Sequence, residues 1–541
     1  MNITIRTYYL LLFLFSWVFH TASLSAQDLY PAEKIQLMTD RSLYLSGENI
    51  SFSGLLSASD DKASLSVVVY IEILTPSGQK INQGKFKISE NKFEGSLIIP
   101  QDVLSGYYYL RAYSKWMRNG NVNDYSYVLL KLVNPNTEEL IEVSDSLIDK
   151  SLSIQEVMND STFQLNKIQY QAGEKISINY RAADFPKFTK ACISLIPSIS
   201  KNKIKYIAPP NVNFYDSITY YPETRGLTIS GKVMSNGRLL PYKKVNIHLK
   251  DEENFISVLS DSSGHFYMAL PDRYGNNELF VISSSGNSEN SDILIDQDYC
   301  TRKIELKVPP FSISNEEKKQ LLLMAQSSQL EEIFEHNDSI HIPSYWKSAF
   351  YGHAYKSIDF NAFVELDSLS QYFTDLPSWV NVKKEKGRRK LSVSGTESEL
   401  SFTAPLVLID WVPVDDIEQL LKVDPRRIKK FDVVVKPYVH GGIVYGGIIA
   451  LFSRNSDFGG FVFPESAMYI NYNFFNLPGS SESRDLPFHN TEYWLPDLPA
   501  ENSIDTLEFR APAIQGDYIL ELQMINDKGE KIIFQNPFQV I

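Results

Sequence analysis

The chain has 541 residues, a formal net charge of −13, and 31 Tyr and 31 Phe residues that bring its aromatic fraction to 13%. The surplus of acidic residues disfavours a nucleic-acid partner, because phosphates would meet repulsion instead of exchanging counterions for basic side chains. The aromatic fraction, with only 22% charged residues, excludes a largely disordered chain, and the length predicts about three to five domains.

The first segment with a clear pattern is an apolar block at residues 8–19. Arg6 precedes the block, and small residues follow it up to Ala26. This order is typical of a secretory signal peptide, which we predict over residues 1–26. A membrane anchor would need about 20 apolar residues, and His20 ends the block earlier. We therefore expect an exported, periplasmic protein whose mature chain has no transmembrane helix.

Alternating apolar and polar residues are the main pattern of the remaining chain. In residues 64–74 the odd-numbered positions from Leu65 to Ile73 are apolar, and in residues 517–524 the even-numbered positions are apolar. Such strands have one buried face, and short strands with frequent turns predict β-sandwiches in series. We therefore predict a mainly β protein.

Two short patterns each occur twice. The first is a Tyr, two residues, Gly-Glu and an alternating strand, and it begins at Tyr44 and again at Tyr170. The glycine of each copy permits a tight turn. The second pattern, a glycine that opens an aromatic strand, links residues 106–110 with residues 516–520. The repetition predicts at least three related sandwich modules. We place these modules at residues 33–136, 150–222 and 480–541.

The two cysteines, Cys192 and Cys300, fall in segments that we assign to different domains. An exported protein can form disulfides. However, Cys192 lies within an apolar strand-like run, and neither residue has metal-ligand spacing to a His or to the other Cys. We expect two unpaired thiols, with a disulfide as the alternative.

Residues 33–48, Glu-Lys-Ile-Gln-Leu-Met-Thr-Asp-Arg-Ser-Leu-Tyr-Leu-Ser-Gly-Glu, resemble the opening of the second macroglobulin-type domain of α2-macroglobulin-like proteins. The version in exported proteins of Bacteroidota is the most similar, and the resemblance extends to the strand at residues 125–133. Residues 494–496 and 509–526 resemble another macroglobulin-type sandwich of that family. The resemblance implies macroglobulin-like sandwiches, but neither cysteine lies in the Cys-Gly-Glu-Gln thioester of a covalent protease trap.

The segment Leu227–Val233, followed by the run Asp-Ser-Ser-Gly-His-Phe that starts at Asp261, resembles the carboxypeptidase-regulatory-like domain. This resemblance implies a small transthyretin-like sandwich at residues 226–305. Asp261 and Gly264 would form a hairpin turn, and Phe266 would return the chain to the core. The zinc-binding motifs of the peptidases after which the domain is named have no counterpart in the sequence.

The sequence predicts few helices. Ser314 and Glu317 form a capping-box pair at the start of a helix that we predict to run to about Phe334. We assign this helix to a partly helical connector, residues 306–364, and predict a second short helix at residues 416–421. The apolar residues expected to share one face of the first helix are Leu321, Leu322, Ala325 and Ile333.

Three segments resemble the plug domain of TonB-dependent outer-membrane transporters, and they are residues 405–410, 424–434 and 445–452. In such plugs a strand ending in Ile-Asp-Gly, a helical turn, a second strand and a Tyr-Gly loop precede the last strand. Trp411 stands where plugs usually have Gly, and the loop at residues 436–442 also departs from the family pattern. The resemblance implies an embedded α+β plug-like domain at residues 365–460.

Transporters follow the plug with a closed barrel of about 22 strands, which needs several hundred residues at about 9–11 residues per spanning strand. The residues after Phe452 are too few for such a barrel, so we expect no self-contained transporter. A plug-like domain without its barrel would need the surface of another protein. The side chains that we select for such a contact are Trp411, Tyr438, His440 and Tyr445.

No pattern of catalytic residues is present. The sequence has no Gly-x-Ser-x-Gly motif and no His-Glu-x-x-His motif among its eight histidines. A β run follows the glycines at residues 446–447, whereas a P-loop requires Lys-Ser/Thr and a helix. We interpret the basic run at residues 383–390 as a solvated hairpin tip, with contact to anionic lipid or lipopolysaccharide as the alternative. We expect no catalytic residue, metal or cofactor.

These observations favour a non-enzymatic interaction or scaffold protein of the cell envelope, associated with the outer membrane and docked to a transporter or assembly there. Its partners would be outer-membrane or periplasmic proteins. One alternative is a glycan- or peptide-binding module that uses Trp411, Trp494, Tyr107–Tyr109 and Trp116. Two further alternatives are a noncovalent protease inhibitor and a hydrolase whose catalytic residues meet only in the folded chain.

Overall fold

The chain divides into two compact units. The first comprises Met1–Gly226, Tyr299–Ser339 and Phe475–Ile541, and the second comprises Leu227–Asp298 and Ile340–Phe474. The predicted signal peptide, residues 1–26, lies outside the described residues. No helix in the described part of the chain is long and apolar enough to cross a bilayer. The computed structural model describes residues 32–59, 63–149, 165–181, 185, 187–201, 218–250, 252–283, 291–334, 348–376, 378–395, 403–477, 490–498 and 504–541.

The first unit begins with a two-sheet β-sandwich. Its sheets have the strand orders β1-β3-β6 and β2-β8-β7-β4-β5, and neighbouring strands are antiparallel except for β2 and β8. Phe52 and Phe86 meet edge to face between the sheets, with ring centroids 4.8 Å apart. The strands are β1 (Glu33–Thr39), β2 (Leu43–Leu45), β3 (Asn49–Ala58), β4 (Val68–Leu74), β5 (Lys80–Lys87), β6 (Lys92–Ile98), β7 (Gly106–Tyr113) and β8 (Ser126–Val133).

Strands β4 and β7 are buried on both faces, whereas the alternating pattern predicted one buried face. The additional cover comes from residues 304–308, which pack on the face that carries Leu74 and Tyr109. Glu72 and Arg111 lie on the same face, and Arg111 Nε donates to Glu72 Oε2 at 2.8 Å. The polar positions of the pattern therefore form a buried ion pair and do not meet solvent.

A second set of elements in the first unit starts with β9 (Gln169–Tyr170), β10 (Lys175–Arg181) and β11 (Phe188–Pro197), and helix α1 (Asn315–Phe334) follows later in the chain. The capping box of α1 is confirmed, because Ser314 and Glu317 each accept the backbone N–H of the other, at 3.1 and 2.7 Å. Leu321 is buried against Leu43 of β2, whereas Leu322 is 67% exposed. Adjacent helical positions point about 100° apart, so the prediction that both share one buried face is wrong.

The second unit starts with another sandwich. One sheet has the order β13-β12-β16, with β18 also paired to β12, and the other has the order β15-β14-β17. The predicted turn forms, because Gly264 has a φ of +76°, its N–H donates to Asp261 O at 3.1 Å, and Phe266 is buried. The strands are β12 (Thr228–Ser235), β13 (Arg238–Leu239), β14 (Lys244–Leu249), β15 (Phe255–Leu259), β16 (His265–Ala269), β17 (Asn276–Ser283) and β18 (Asp292–Ile295).

The rest of the second unit is an α+β arrangement. Its strands are β19 (Lys356–Asp359), β20 (Val380–Glu385), β21 (Arg388–Val393), β22 (Leu406–Ile409), β23 (Val412–Pro413), β24 (Ile428–Val434), β25 (Tyr438–His440), β26 (Ile443–Tyr445), β27 (Ile448–Ser453) and β28 (Met468–Asn473). Its helices are α2 (Leu369–Thr374) and α3 (Ile417–Leu420), the second of which confirms the short helix predicted near residues 416–421.

The main sheet of this part has the order β19-β24-β27-β22-β23, in which only β22 and β27 run parallel. Residues of α2, α3 and the hairpin β20–β21 share a hydrophobic core with one face of the sheet. The last strand of the unit, β28, pairs with β17. The sandwich predicted at residues 226–305 therefore gains a strand from outside that range.

The strands β29 (Tyr493–Leu495), β30 (Ile504–Arg510), β31 (Gly516–Asn526) and β32 (Lys531–Val540) belong to the first unit. They complete the sandwich that β9–β11 begin, since its two sheets have the orders β29-β11-β31-β32-β9 and β10-β30. We predicted separate sandwiches at residues 150–222 and 480–541. The structure instead makes one split sandwich of them, because among the described residues β9, β10 and β11 pair only with strands of the C-terminal segment.

Both sequence repeats correspond to repeated hydrogen bonds. Tyr44 and Tyr170 each accept the backbone N–H three residues earlier at 3.3 Å and donate to a side-chain oxygen four residues earlier at 2.6 Å. Tyr108 and Tyr518 each donate to the carbonyl four residues earlier, at 2.8 and 2.9 Å. Each of the two sandwiches in the described part of the first unit thus contains one copy of both patterns, so the three segments that we predicted as separate modules form two.

Both cysteines are buried and unpaired, which confirms the prediction of free thiols. Cys192 lies in β11, as expected, with its Sγ atom 3.7 Å from Met38 Sδ. Cys300 lies 3.7 Å from the Tyr125 hydroxyl. Burial raises the pKa of Cys192 to about 12, so this thiol remains protonated and unreactive near neutral pH.

Candidate functional site

The side chains selected from the sequence lie around the hairpin β25–β26 and the turn between β22 and β23. In the hairpin Tyr438 is opposite Tyr445. The turn consists of Gly441 and Gly442, whose φ angles of +58° and +77° are those of a tight two-residue hairpin turn. A Cβ atom at position 441 would lie 2.6 Å from Ser257 Cβ. Only glycine therefore lets this hairpin lie so close to β15.

Trp411 lies in a two-residue turn with Asp410, and both residues have positive φ angles, +69° and +43°. The Asp410 carboxylate accepts the N–H groups of Ser453 and Phe458 at 2.7 and 2.8 Å. The Trp411 ring packs edge to face on Phe452, with centroids 4.9 Å apart. These contacts offset the strain of a bulky residue in the left-handed region. The turn therefore forms although a bulky residue occupies one of its two positions.

Phe350 is the centre of an aromatic cluster that includes three of the selected residues. Its ring centroid lies 5.5 Å from Tyr438, 5.4 Å from His440 and 6.3 Å from Trp411. Phe255 of β15 joins the cluster with its centroid 5.5 Å from Phe350. Aromatic pairs at such distances contribute about 0.5–1.5 kcal/mol each beyond the area that they bury. The cluster therefore holds hairpin β25–β26 on its support.

His440 is half-buried in this cluster, and its Nε2–H donates to the Phe255 carbonyl at 3.0 Å. Burial lowers the pKa of His440. The hydrogen bond to Phe255 raises this pKa, and the nearby charge of Lys244 lowers it. The net lowering leaves a neutral imidazole near pH 7, so His440 contributes packing and one hydrogen bond, not a charge.

Tyr445 is buried in the core under the hairpin, with 8% of its surface exposed. Lys244 Nζ donates to its hydroxyl at 3.3 Å and lies 5.6 Å from the ring centroid. Thus Trp411, Tyr438 and His440 are half-buried and Tyr445 is buried, so the outer surface of the hairpin consists of other residues.

The side chains that the hairpin exposes are Val439 and Val444, which are opposite each other in the register and 64% and 43% exposed. Sequence reasoning missed them because it selected aromatic and titratable residue types. The alternation of the hairpin carried the signal, since Val439 and Val444 occupy the face opposite to Tyr438, His440 and Tyr445.

The aromatic residues proposed for glycan binding in the first sandwich do not form an exposed surface. Tyr107, Tyr108, Tyr109 and Trp116 are all buried, none with more than 8% of its surface exposed. They fill the core and the covered outer face of that sandwich. This observation does not favour the glycan-binding alternative.

Catalytic chemistry likewise finds no support in the described residues. They contain no group of three His, Cys, Asp or Glu side chains that could hold a metal ion. A hollow of roughly 400 Å³ in the split sandwich is lined by Ser198, Asp517 and Tyr518, among others, but by no histidine. The hydrolase alternative, which needs a nucleophile beside a base, gains nothing from this site.

In a comparison with known protein families, residues 34–126 match the model of the MG2 domain. This range lies within the first sandwich, which is therefore a macroglobulin-type domain. No curated protein matches the sequence. The mainly β fold, with a macroglobulin-type sandwich and several further sheets consistent with β-sandwiches in tandem, confirms the predicted fold class.

Several solved structures are similar to the chain at low identity. Salmonella alpha-2-macroglobulin reacted with methylamine is 10% identical over 94% of this chain and 23% of its own, with a TM-score of 0.16. Escherichia coli alpha-2-macroglobulin activated by porcine elastase is 10% identical over 94% of this chain and 44% of its own, with a TM-score of 0.22. The D0-D1 domain of intimin is 10% identical over 49% and 98%, with a TM-score of 0.14. The chain thus spans less than half the length of both macroglobulins.

Proposed function

We propose that this chain is a non-enzymatic interaction protein of the cell envelope, which is exported, stays in the periplasm at the outer membrane, and docks to an outer-membrane transporter or assembly. The observation that carries the proposal is the hairpin β25–β26, which exposes the pair Val439 and Val444 while its other face packs on the aromatic cluster around Phe350. Exposed apolar side chains held by an ordered support are suited to contact another protein, because the contact then costs little ordering entropy.

Three further observations support this function. The macroglobulin-type domain at residues 34–126 is compatible with a module for protein interaction. The plug-like sequence pattern at residues 405–452 suggests a partner of the kind that normally surrounds a plug. The described residues contain no group of three His, Cys, Asp or Glu side chains that could hold a metal ion.

The experiment is site-specific photo-crosslinking in intact cells, with the crosslinker at Val439 or Val444 of the full chain. We expect crosslinks to an outer-membrane protein from both positions. Tyr242, which is 68% exposed on the sandwich of the same unit, is the matched control and should give no such crosslink. Absence of any outer-membrane protein from the products of positions 439 and 444 would overturn the proposal.

Noncovalent protease inhibition is a second candidate, and it rests on the macroglobulin-type domain at residues 34–126. It predicts that excess purified chain lowers the activity of secreted proteases on a protein substrate. Activity that stays unchanged across a panel of serine, cysteine and metalloproteases would exclude it.

A further inference from the structure

The hairpin β20–β21 presents a face that its own core does not use. In its register Val380 pairs with Val393 and Val382 with Leu391, and these four side chains pack into the core of the α+β part. Side chains alternate between the faces of a strand, so the intervening residues point outward. We call this side the outer face, and it consists of Asn381, Lys383, Glu385, Arg388, Lys390 and Ser392.

The outer face carries a concentration of positive charge that destabilises the hairpin. Lys383 and Lys390 are directly opposite each other, and like charges at opposed positions destabilise a strand pair. Glu385 forms an ion pair with Lys390 at 2.8 Å and is directly opposite Arg388 in the register, so one carboxylate faces three cations on this face. Lys383 and Arg388 are exposed and have no ion-pair partner among the described residues. An anionic ligand would remove the repulsion that the fold leaves in place.

An exposed aromatic pair lies at the base of the same hairpin. Trp379 and Tyr355 are 44% and 58% exposed, and their rings meet edge to face with centroids 5.3 Å apart. Trp379 also has a φ of +65°, which is a strained value for a bulky residue. Strain of this kind concentrates at sites of function, and glycine at this position would relieve it.

The distance between the aromatic pair and the cations of the hairpin favours one class of ligand over another. Trp379 and the turn at Lys386–Gly387 are about 20 Å apart, given about 3.3 Å per strand residue. A bilayer that met the hairpin tip would contact the cations first, while the aromatic residues that prefer the interface would remain about 20 Å away. An extended chain can contact both ends at once. Trp, Tyr and Arg are also the residues that dominate binding energy at protein interfaces.

We propose that the outer face, together with Trp379 and Tyr355, binds an extended acidic segment of a protein partner. This inference rests on the proposed function as an interaction protein, and it adds the chemical class of the partner and a second contact region. The acidic segment supplies carboxylates to Lys383 and Arg388, and an apolar residue at its end packs on Trp379.

The test measures binding of a fluorescently labelled poly-glutamate peptide that ends in leucine to the full chain, by anisotropy at low and at high salt. K383E/R388E should weaken binding at least about tenfold, because it removes two complementary charges and adds two repulsive ones. W379G should weaken binding several-fold. K318E/K319E, an equal change of charge at exposed positions of α1, is the control and should change the affinity less than about twofold.

Stability separates binding from a merely structural role. K383E/R388E places one new carboxylate opposite Lys390 and the other opposite Glu385, so a gained attraction and a new repulsion offset each other. W379G relieves a strained φ. Both variants should therefore melt near the temperature of the wild type or above it. Loss of binding without loss of stability supports the inference. The neutral variant K383S/R388S, which keeps the strand pattern, gives a second measurement with an expected loss of about threefold or more.

Three results would overturn the inference. One is equal peptide affinity of K383E/R388E and K318E/K319E. The others are tighter binding of heparin, or of phosphatidylglycerol vesicles, with the same dependence on Lys383 and Arg388, which would assign the face to a glycan or a membrane. Failure of the proposed function is a different result, namely no envelope protein crosslinked to Val439 or Val444 in the wild type.

Discussion

Gln523 donates a hydrogen bond from its Nε2 to the backbone carbonyl of Thr39 at 2.8 Å, and both residues are buried. The bond joins β31 of the split sandwich to the end of β1 in the first sandwich. Gln523→Leu leaves a buried carbonyl without this donor, which costs about 1–3 kcal/mol. We expect amide hydrogen exchange in β1 and β31 of the full chain to become about tenfold faster or more.

The matched control for Gln523 is Gln539→Leu in β32, where the glutamine side chain is exposed. Surface substitutions of this kind change stability by about 0.5 kcal/mol or less, so exchange in β1 and β31 should keep its wild-type rate. Equal exchange rates in Gln523→Leu and the wild type would show that the two sandwiches do not depend on this bond.

The ion pair of Glu72 and Arg111 gives a second prediction. Arg111→Met removes the guanidinium that donates two hydrogen bonds to Oε2 of the fully buried Glu72 carboxylate. Among the described residues, Lys80 Nζ, 2.9 Å from Oε1, is the cation that remains. Breaking a buried pair in this way costs about 3–5 kcal/mol, whereas replacing both members by apolar residues is often close to neutral. We expect fast amide exchange in β4 and β7 of Arg111→Met and substantial recovery in the double variant E72M/R111M.

An exposed ion pair is the control for this experiment. Lys175 and Glu508 lie 2.7 Å apart with side chains that are 62% and 51% exposed, and such pairs contribute about 0–1 kcal/mol. Lys175→Met should leave exchange in its own strand, β10, nearly unchanged. A double variant E72M/R111M as unstable as Arg111→Met would contradict the explanation by an uncompensated charge.

The strands of the first unit could be predicted from the sequence, but their pairing into sheets could not. Tyr44 and Tyr108 mark the two halves of one sandwich, and Tyr170 and Tyr518 mark the same halves of another. Each tyrosine bonds to groups within four residues, so its pattern is local and readable. Strands β11 and β31 pair although the sequence of the second unit lies between them. Alternation of apolar and polar residues does not specify which distant strand becomes the neighbour.

The candidate site shows the same limit. Residue types selected Tyr438, His440 and Tyr445, which the fold turns toward Phe255 and Phe350, because aromatic residues gain more from burial than the exposed valines beside them. Trp379 was not selected at all. Its significance lies in a positive φ and a neighbour at position 355, and neither feature has a signature in the order of residues.

Glu492 gives a prediction about pH, because burial raises the pKa of its carboxyl from 4.5 to about 8. The folded chain therefore keeps a proton that the unfolded chain releases between pH 4.5 and pH 8, and stability falls as pH rises through this window. Glu492→Gln cannot ionise and should escape this loss. We expect equal melting temperatures of the variant and the wild type at pH 4.5, and a more stable variant at pH 8, by about 1 kcal/mol or more.

The comparison between the two proteins at each pH isolates Glu492, since all other titrating groups are common to both. A difference in stability that stays constant from pH 4.5 to pH 8 would assign the carboxyl an ordinary pKa. Glu508→Gln, at an exposed position of β30, is the control for the loss of a surface carboxyl.

The glycines of the hairpin β25–β26 differ in what surrounds them, and this difference gives the last prediction. Gly441→Ala places a Cβ atom 2.6 Å from Ser257 Cβ, whereas a Cβ at Gly442 meets nothing within 4 Å. Both substitutions cost about 1–2 kcal/mol for a left-handed backbone, but only Gly441→Ala pushes the hairpin away from β15. The bond from His440 to Phe255 should then break, and the imidazole should become hydrated.

The measurement is a pH titration of the His440 ring by NMR in the full chain. Burial holds the pKa of His440 below its usual value of 6.5, so it should rise toward 6.5 in Gly441→Ala and stay low in Gly442→Ala. A lowered pKa of His440 also makes the wild type lose stability as pH falls below about 6.5, because the unfolded chain then binds a proton that the folded chain does not. Gly441→Ala should lose this pH dependence while Gly442→Ala retains it, and equal titration curves would show that close packing on Ser257 does not hold the hairpin.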